Sequence, residues 1–427
     1  MTAEPARAPT AEPSRTAGAD ARLAAHLRAR DAARAGVYVH VPFCAVRCTY
    51  CDFSTGRLTQ PLVERWLAAL EREVAWRAAE ASGTVFHSVF FGGGTPSTLT
   101  PVQFARVWRA LTGAFALAPG AEVTLEANPE SVREDRLEAW AAAGVNRLSF
   151  GAQSFDPRDL AVLGRVHDAA RPAEAVRLAR ATGIERLSLD FMFGYPEHTM
   201  ARWRATLDRT LELAPEHVSA YCFIPEPGTP LGDAALAGTA VLPDDDTQAA
   251  LYAEIESRLG AAGFACYETS NFCLPGAEAR HNLVYWLRRP YVGLGPSAHG
   301  HLGGRRWGNA HERADWMRRL ERGDSPEAES ERDTPESRAR EIVMLSLRLA
   351  DGLRAADHAA GDWAGVERRY AAALARAVAT GRLERAGDAW RIAARHRFVA
   401  DEVISWIDAG AAPAAVDTRA ASSIMMG

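Results

Sequence analysis

Lysine is missing from this chain, whose 49 basic residues are all arginine. Its absence excludes Schiff-base catalysis through lysine and also a P-loop nucleotide site, because both chemistries need a lysine amine. Long apolar runs are missing as well, and none approaches the length that spans a membrane. The formal net charge of −5 gives no global positive field, so the composition predicts no nucleic-acid partner.

Cysteine is scarce, with six residues in a chain of 427. The N-terminal stretch lacks the apolar centre of a signal peptide, so the sequence predicts a cytoplasmic protein without disulfides. Three of the six cysteines, Cys44, Cys48 and Cys51, share one short loop with the spacing C-x3-C-x2-C. Because structural zinc usually takes four ligands in two separated pairs, the triplet favours a [4Fe–4S] cluster with one open iron. The alternatives are a disulfide with a spare thiol and three buried structural cysteines.

Five segments are expected along the chain. Residues 1–35 are rich in Ala, Arg, Pro and Glu without apolar periodicity, which predicts a disordered leader that ends in a short helix. Residues 36–225 form the main α/β unit, and residues 226–333 extend it with an irregular region. Residues 334–410 predict a small helical domain that begins at Thr334 as N-cap and contains a hairpin at Gly387-Asp388. Residues 411–427 are expected to be a flexible tail.

Short apolar runs alternate with helical patterns in the first half of the chain. The predicted strands are Gly36–Val41, Phe86–Phe91, Glu122–Ala127, Asn146–Gly151, Arg186–Phe191 and His217–Phe223. The predicted helices between them include Leu62–Ala78, Pro101–Phe115, Arg133–Ala143 and Arg202–Leu213. Six β-then-α units predict parallel strands with right-handed crossovers. Six are too few for a closed eight-stranded barrel, so a partial barrel and an open doubly wound sheet both fit the pattern.

Polar motifs follow directly after these strands. Gly92–Pro96 follows the second strand, Glu126 ends the third, Gln153 follows the fourth and Asp190 ends the fifth. The carboxyl ends of parallel strands hold the site in such architectures, so these side chains are expected to converge. A carboxylate at the end of an apolar strand needs a partner, and ribose hydroxyls or an ammonium group would serve.

At this point the string Tyr38-x-His40-x-Pro42-Phe43-Cys44-x3-Cys48-x-Tyr50-Cys51 resembles the radical S-adenosylmethionine (SAM) superfamily. More narrowly, it resembles the branch of oxygen-independent coproporphyrinogen III oxidase and the HemW family, over about residues 36–410. The resemblance implies a partial (β/α)6 radical SAM barrel with a winged-helix-like C-terminal domain. It also implies one [4Fe–4S] cluster whose open iron chelates SAM, so that reduction of the sulfonium can give a 5′-deoxyadenosyl radical.

The resemblance assigns individual residues. Cys44, Cys48 and Cys51 would ligate three irons of the cluster. The residues expected to contact SAM are Tyr38, Tyr50, Gly92, Gly93, Gly94, Thr95, Glu126, Gln153, Arg165 and Asp190. Each glycine could instead serve a sharp turn, and each charged residue could be an ordinary surface or ion-paired side chain.

Two features separate the two branches. Phe53 stands where the oxidase carries a further cysteine, and His281-Asn282-Leu-Val-Tyr285-Trp286 resembles the H-N-x-x-Y-W signature of the HemW family. That resemblance implies a haem chaperone, with SAM cleavage left open, and makes His281 the first candidate haem ligand and His299 the second. Radical decarboxylation of coproporphyrinogen III is the alternative, and a simple Fe–S electron-transfer protein is a third class.

The resemblance also implies partners. They are haem, recipient haemoproteins and an electron donor such as flavodoxin or ferredoxin, with transient contact to membrane-bound haemoproteins. The winged-helix-like domain suggests DNA binding by analogy, but its arginines are interleaved with acids. A lid over the barrel or a partner-docking surface is therefore the favoured interpretation of that domain.

Overall fold

The computed structural model describes His26 and residues 29–411. Residues 1–25 and 412–427, which hold most of the predicted leader and tail, lie outside the described residues. The fold is mixed α/β, with a twelve-stranded sheet at its centre and a smaller C-terminal domain.

The strands lie as follows: β1 Gly36–Val41, β2 Phe43–Cys44, β3 Gly56–Arg57, β4 Val85–Gly93, β5 Ala116–Ala127, β6 Arg147–Gln153, β7 Arg186–Phe193, β8 His217–Cys222, β9 Ala265–Glu268, β10 Asn271–Cys273, β11 Tyr291–Leu294, β12 His299–Leu302, β13 Arg305–Asn309, β14 Glu327–Arg332, β15 Leu383–Ala386 and β16 Ala389–Ile392. The helices are α1 Gln60–Glu80, α2 Pro101–Ala114, α3 Glu134–Ala142, α4 Pro157–Val162, α5 Arg171–Ala181, α6 Met200–Leu213, α7 Pro230–Leu236, α8 Asp245–Ala261, α9 Arg280–Trp286, α10 Arg313–Arg322, α11 Pro335–Ser346, α12 Ala360–Ala379 and α13 Ala400–Ala409.

The six predicted strands are confirmed as β1, β4, β5, β6, β7 and β8, which are parallel and neighbour one another in chain order. A seventh parallel strand, β11, pairs with the other side of β1. Antiparallel strands extend the sheet at both edges, with β12 to β14 on one side and β10 and β9 on the other. The sheet is therefore an open, partial barrel.

The prediction of an irregular region between residues 226 and 333 is wrong, because β9 to β14 lie there. Its glycines serve close strand contact. A Cβ on Gly293 would come within 1.8 Å of the His299 carbonyl oxygen, and one on Gly300 would come within 2.1 Å of the Trp307 ring. The glycines of this region suggest loops when the sequence is read alone, but in the fold they let short strands pack closely against each other.

The parallel strands differ on their two faces. Val37, Val39 and Leu189 are fully buried in the main apolar core. Residues between them on the same strands, such as Tyr38 and Asp190, point to the opposite face, because side chains alternate along a strand. The concave face of the sheet is consequently polar, which is unusual for a core and suits a binding cavity.

The C-terminal domain packs α11, α12, α13 and the β15–β16 hairpin around its own apolar core. Thr334 caps α11 as predicted, in a capping box with Ser337. The hairpin turns at Gly387, whose φ is +63°.

The chain before β1 contacts this C-terminal domain. Residues 29–32 are helical, and Arg30 pairs with both Asp351 and Asp357. The described end of the predicted leader is therefore a packed segment, held by a buried guanidinium between two carboxylates.

Among the helices of the described ranges, none has a stretch both long and apolar enough to cross a membrane.

Candidate cofactor site

A cavity of about 540 Å³ opens at the carboxyl ends of the parallel strands. Its volume lies within the range that holds a drug-sized ligand. The three loop cysteines, Cys44, Cys48 and Cys51, line one side of it. The predicted SAM contacts that line it are Tyr50, Gly93, Gly94, Thr95, Glu126, Gln153, Arg165 and Asp190.

Tyr38 and Gly92 were also predicted to contact SAM, but they do not line the cavity. Both lie directly behind its wall. A Cβ on Gly92 would come within 3.1 Å of the Tyr38 ring and of Glu126 Oε2. Gly92 therefore provides the space in which Tyr38 and Glu126 pack.

The cysteine loop is held by its backbone. Cys44 ends β2, which pairs with β3 across the loop. Burial raises the pKa of the Cys44 thiol, and burial with the charges of the other cysteines raises the pKa of Cys51 to about 11. The thiols of Cys44 and Cys51 consequently keep their protons until a metal displaces them.

The three thiols do not form a single-ion site. Among the described residues, no group of three or more His, Cys, Asp or Glu side chains converges on one metal position. In a cubane each thiolate binds a different iron, so the ligands border a volume instead of one point. All three cysteines border the cavity, which fits the thiolate donor set of a cluster.

Hydrogen bonds join two of the thiols through three polar residues. Thr95 Oγ1 donates to Cys44 Sγ at 3.4 Å and accepts from Asn128 Nδ2 at 3.2 Å. Arg165 donates to Asn128 Oδ1 at 2.7 Å and to Cys48 Sγ at 3.2 Å. This set, called the thiol bridge below, places donors on the sulfurs where a cluster would carry negative charge.

The glycine loop is fixed against the segment before Cys44. The N–H groups of Gly94 and Thr95 donate to the carbonyl oxygens of Val41 and Phe43, each at 2.8 Å. A Cβ on Gly94 would come within 2.6 Å of the Phe43 carbonyl oxygen, so only glycine permits this approach.

Two carboxyl groups face the cavity from neighbouring parts of the sheet. Burial and the nearby Asp190 charge raise the pKa of Glu126 to about 8. Burial also raises the pKa of Asp190, but serine hydroxyls oppose that shift. Ser149 Oγ donates to Asp190 Oδ2 at 2.8 Å and Ser188 Oγ donates to Oδ1 at 2.9 Å. At neutral pH Glu126 can therefore donate a hydrogen bond, whereas Asp190 is built to accept.

Gln153 reaches the cavity through an irregular strand end. The pairing of β6 with β7 shifts between Phe150 and Gln153, and Gln153 has a φ of +63°. Such a left-handed backbone is costly for a residue with a Cβ and is common at binding sites. The irregularity turns the Gln153 side chain toward the ligand space.

His281, the first candidate haem ligand, is fully buried and does not line the cavity. Its Nδ1 bonds to Ser88 Oγ at 2.9 Å and its Nε2 bonds to Tyr285 Oη at 2.8 Å. Burial lowers its pKa to about 3, so it is a neutral imidazole with both nitrogens engaged. As folded, it has no nitrogen to offer an iron, and its role here is to hold α9 against β4.

His299, the second candidate, is exposed at the start of β12 and likewise does not line the cavity. The H-N-x-x-Y-W block instead reaches the cavity through Asn282.

Three lining residues, Arg147, Ser219 and Tyr221, were missed from the sequence. Three more, Asn128, Ser149 and Asn282, stand in the predicted motifs but were not assigned a ligand contact. The period of two in a strand carried the signal for some of them, since Arg147 and Ser149 precede Gly151 on the same face of β6. For Asn282 no local pattern distinguishes its side chain from that of His281.

The comparisons with known proteins cover most of the chain. The model of the "Radical SAM superfamily" matches residues 38–210. The protein named "Heme chaperone HemW" of Mycobacterium tuberculosis is 40% identical over 372 residues, which is 86% of this chain and 93% of that protein. The Bacillus subtilis protein of the same name is 34% identical, over 74% of this chain and 84% of its own length.

A solved structure shares most of the fold. Coproporphyrinogen III oxidase (HemN) from Escherichia coli, described as a radical SAM enzyme, superposes with a TM-score of 0.76. The match covers 89% of this chain and 92% of that one at 23% identity, so it establishes the fold alone.

Proposed function

The chain belongs to the HemW family of radical SAM proteins, and from that membership we propose that it binds haem and hands it to haemoproteins. The proposal is supported by relatives named as haem chaperones that align over most of their own length. Phe53, at the position where the oxidase branch carries a further cysteine, agrees with this assignment.

Exposed apolar side chains at the mouth of the cavity support haem binding. Four exposed apolar side chains surround it, namely Val46, Phe53, Tyr221 and Ile224, here called the apolar rim. Phe53 is 60% exposed and Ile224 is 67% exposed. Large apolar groups grouped at an opening mark a ligand site, and aromatic rings pack well on a porphyrin face. A flat apolar ligand such as haem fits this rim.

The same proposal gives the cavity its cofactors. Cys44, Cys48 and Cys51 would hold a [4Fe–4S] cluster, and the lining residues Tyr50, Glu126, Gln153 and Asp190 would hold SAM. When bound, the cluster supplies one electron at low potential. Thr95 and Arg165 donate hydrogen bonds to the thiolates, and the Gly92–Gly94 loop lets the methionine end approach the backbone.

We also propose the setting in which the protein works. Cluster reduction needs a donor such as flavodoxin or ferredoxin, and recipient haemoproteins include membrane-bound ones that the protein contacts transiently. None of the six cysteines, all of which lie in the described residues, is paired in a disulfide, which suits the reducing cytoplasm.

Haem titration of the anaerobically reconstituted protein tests the function. Wild type should bind haem, whereas Phe53→Ser and Ile224→Ser should weaken binding about tenfold by removing apolar contact. Val102→Ser is the matched control, because Val102 is 79% exposed in α2 and does not line the cavity. Absence of haem binding by wild type would refute the function, and unchanged binding by both rim variants would refute the rim.

Decarboxylation of coproporphyrinogen III is tested in parallel. Incubation of the reduced, reconstituted protein with SAM and coproporphyrinogen III should leave the substrate intact. Accumulating protoporphyrinogen would reverse the ranking of the two functions.

A further inference from the structure

Arg147 stands apart from the other charged residues of the barrel. It begins β6, is only 3% exposed and lines the cavity below the cysteine loop. Within residues 29–411 and His26, its guanidinium makes no ion pair and no side-chain hydrogen bond. A buried arginine is nearly always paired, because an uncompensated charge is costly away from water.

The acids around Arg147 already have other partners. Glu122 Oε2 accepts from Arg186 at 3.0 Å, and both its oxygens accept backbone N–H groups at the start of α9. Asp190 accepts from serine hydroxyls. Glu126, with a pKa of about 8, is mostly protonated at neutral pH. These acids lie near enough to interact with the charge of Arg147, but none of them accepts a hydrogen bond from its guanidinium N–H groups.

The groups beside Arg147 in the cavity wall are neutral and polar. Asn282 lines the cavity and can donate its side-chain N–H groups to an anion, whereas the hydroxyl protons of Ser149 and Ser219 are directed to Asp190. A guanidinium matches a carboxylate in two parallel hydrogen bonds, which makes arginine the usual residue for carboxylate recognition.

We propose that Arg147 is the anchor of a carboxylate-binding subsite at the floor of the cavity. The ligand is a molecule whose carboxylate enters past the cysteine loop. Its source is either a propionate side chain of a tetrapyrrole or the carboxylate of a SAM molecule that is not chelated to the open iron. The inference deepens the proposed function and rests on it for the tetrapyrrole source only.

The experiment uses the full-length, anaerobically reconstituted protein and three probes, which are haem, haem dimethyl ester and SAM. Arg147→Met removes the charge while keeping most of the side-chain volume. If a propionate binds here, haem affinity falls at least tenfold and affinity for the ester, which has no free carboxylate, stays within twofold. If SAM binds here, its affinity falls at least tenfold instead.

Two further variants separate binding from folding. Arg147→Lys keeps the positive charge that balances the nearby acids but loses the fork, so we expect a native unfolding temperature and weakened carboxylate binding. Arg109→Met removes an exposed charge from α2 and should bind every probe as wild type does.

The proposal is overturned if folded Arg147→Met binds haem and SAM within twofold of wild type. It is also overturned if haem and its ester weaken equally while SAM is unaffected, because the effect is then not on a carboxylate. Should Arg147→Met fail to fold, unchanged haem and SAM affinities in Arg147→Lys overturn it. Wild-type protein that binds no haem refutes the chaperone function, but the SAM measurement still decides the role of Arg147.

Discussion

Two side-chain hydrogen bonds, from Thr95 to Cys44 and from Arg165 to Cys48, act directly on the cysteine sulfurs of the cavity. Thr95 serves three purposes, since its N–H fixes the glycine loop while its hydroxyl donates to Cys44 and accepts from Asn128. The sequence motif predicted that Thr95 belongs to the site. Its partner Asn128 follows the next predicted strand, but nothing local shows that Asn128 connects two cysteines some 80 residues earlier by way of Thr95 and Arg165.

The thiol bridge predicts a change in reduction potential. Thr95→Val keeps the shape of the side chain but removes the donor to Cys44, so the reduced, more negative cluster loses stabilisation and its potential falls. A redox titration followed by electron paramagnetic resonance measures the shift. Thr112→Val, whose hydroxyl donates only to carbonyl oxygens within α2, is the control and should leave the potential unchanged. An unaltered potential in Thr95→Val would show that this hydrogen bond does not act on the cluster.

The glycine loop predicts a steric effect that does not depend on ligand contact. Gly94→Ala places a Cβ within 2.6 Å of the Phe43 carbonyl oxygen, which must displace the backbone beside Cys44. We expect a loss of about 1–3 kcal/mol in the free energy of unfolding and a lower iron content after reconstitution. Gly113→Ala, where the Cβ meets nothing within 4 Å, should instead stabilise α2 by about 0.5–1 kcal/mol. Similar behaviour of the two variants would contradict the packing argument.

Glu126 predicts a pH dependence with a definite sign. Its pKa in the fold is about 8 against an ordinary value of 4.5, because burial and Asp190 disfavour its charge. The folded protein therefore holds a proton that the unfolded chain has lost between about pH 4.5 and 8, and the free energy of unfolding falls as pH rises through this window. Removing the ionisation with Glu126→Gln should flatten that slope and stabilise the cofactor-free protein at pH 8 by roughly 1–3 kcal/mol.

Urea unfolding of the cofactor-free protein from pH 5 to 8.5 measures this effect. Glu212→Gln is the control, since Glu212 is an exposed acid at the end of α6. Parallel curves for Glu126→Gln and wild type would mean that Glu126 ionises normally in the fold.

At the scale of elements, strands that alternate with helices can be predicted from the sequence. Strands outside that alternation cannot. Strand β7 is a run of alternating buried side chains bounded by a helix on each side, which a local window detects. Strand β11 has only four residues, contains Gly293, and becomes a strand because it pairs with β1 some 250 residues earlier. No local pattern carries that information.

Helix α9 shows the same limit for the site. The motif correctly singled out the block from His281 to Trp286, but the fold turns His281 inward and Asn282 to the cavity. The distinction depends on Glu122, a carboxylate from β5 that accepts the N–H groups of Arg280 and His281 and fixes the rotation of the helix.

The attachment of α9 can be measured through Glu122. Although burial alone would raise the pKa of Glu122, Arg186 and Arg147 lower it, so the group is ionised at the positive end of the helix. Glu122→Gln should cost roughly 2–4 kcal/mol in the free energy of unfolding and speed hydrogen exchange in residues 280–286. The exposed pair of Glu212 with Arg209 gives the comparison, and Glu212→Gln should cost less than about 0.5 kcal/mol. If hydrogen exchange in residues 280–286 of Glu122→Gln were as slow as in wild type, the Glu122 carboxylate would not be what anchors α9.

At the scale of the whole molecule, the chain before β1 fastens the C-terminal domain to the barrel. Arg30 is 2% exposed and pairs with Asp351 and Asp357, while His26 contacts Asp351 and, from the barrel side, Glu278. The leader composition gave no hint of this, because one arginine among many becomes buried only when two distant acids meet it. The contact makes the position of the C-terminal domain depend on a titratable group.

His26 therefore predicts that this attachment weakens at alkaline pH. Burial alone would lower its pKa, but hydrogen bonds to Asp351 and Glu278 outweigh burial and raise it to about 9, with Arg30 opposing. A raised histidine pKa stabilises the fold fully below about pH 6.5, and the contribution is lost as pH rises through 9. Wild type should lose up to about 3 kcal/mol in the free energy of unfolding across this range. His26→Gln should show a smaller loss, and His396→Gln should follow wild type.

Hydrogen exchange in residues 335–409 locates the effect. After each rate is divided by the intrinsic exchange rate at that pH, exchange should become faster above pH 8 in wild type and stay constant in His26→Gln. Equal pH dependence in the two proteins would assign the alkaline loss to another group and leave Arg30 as the fastening residue.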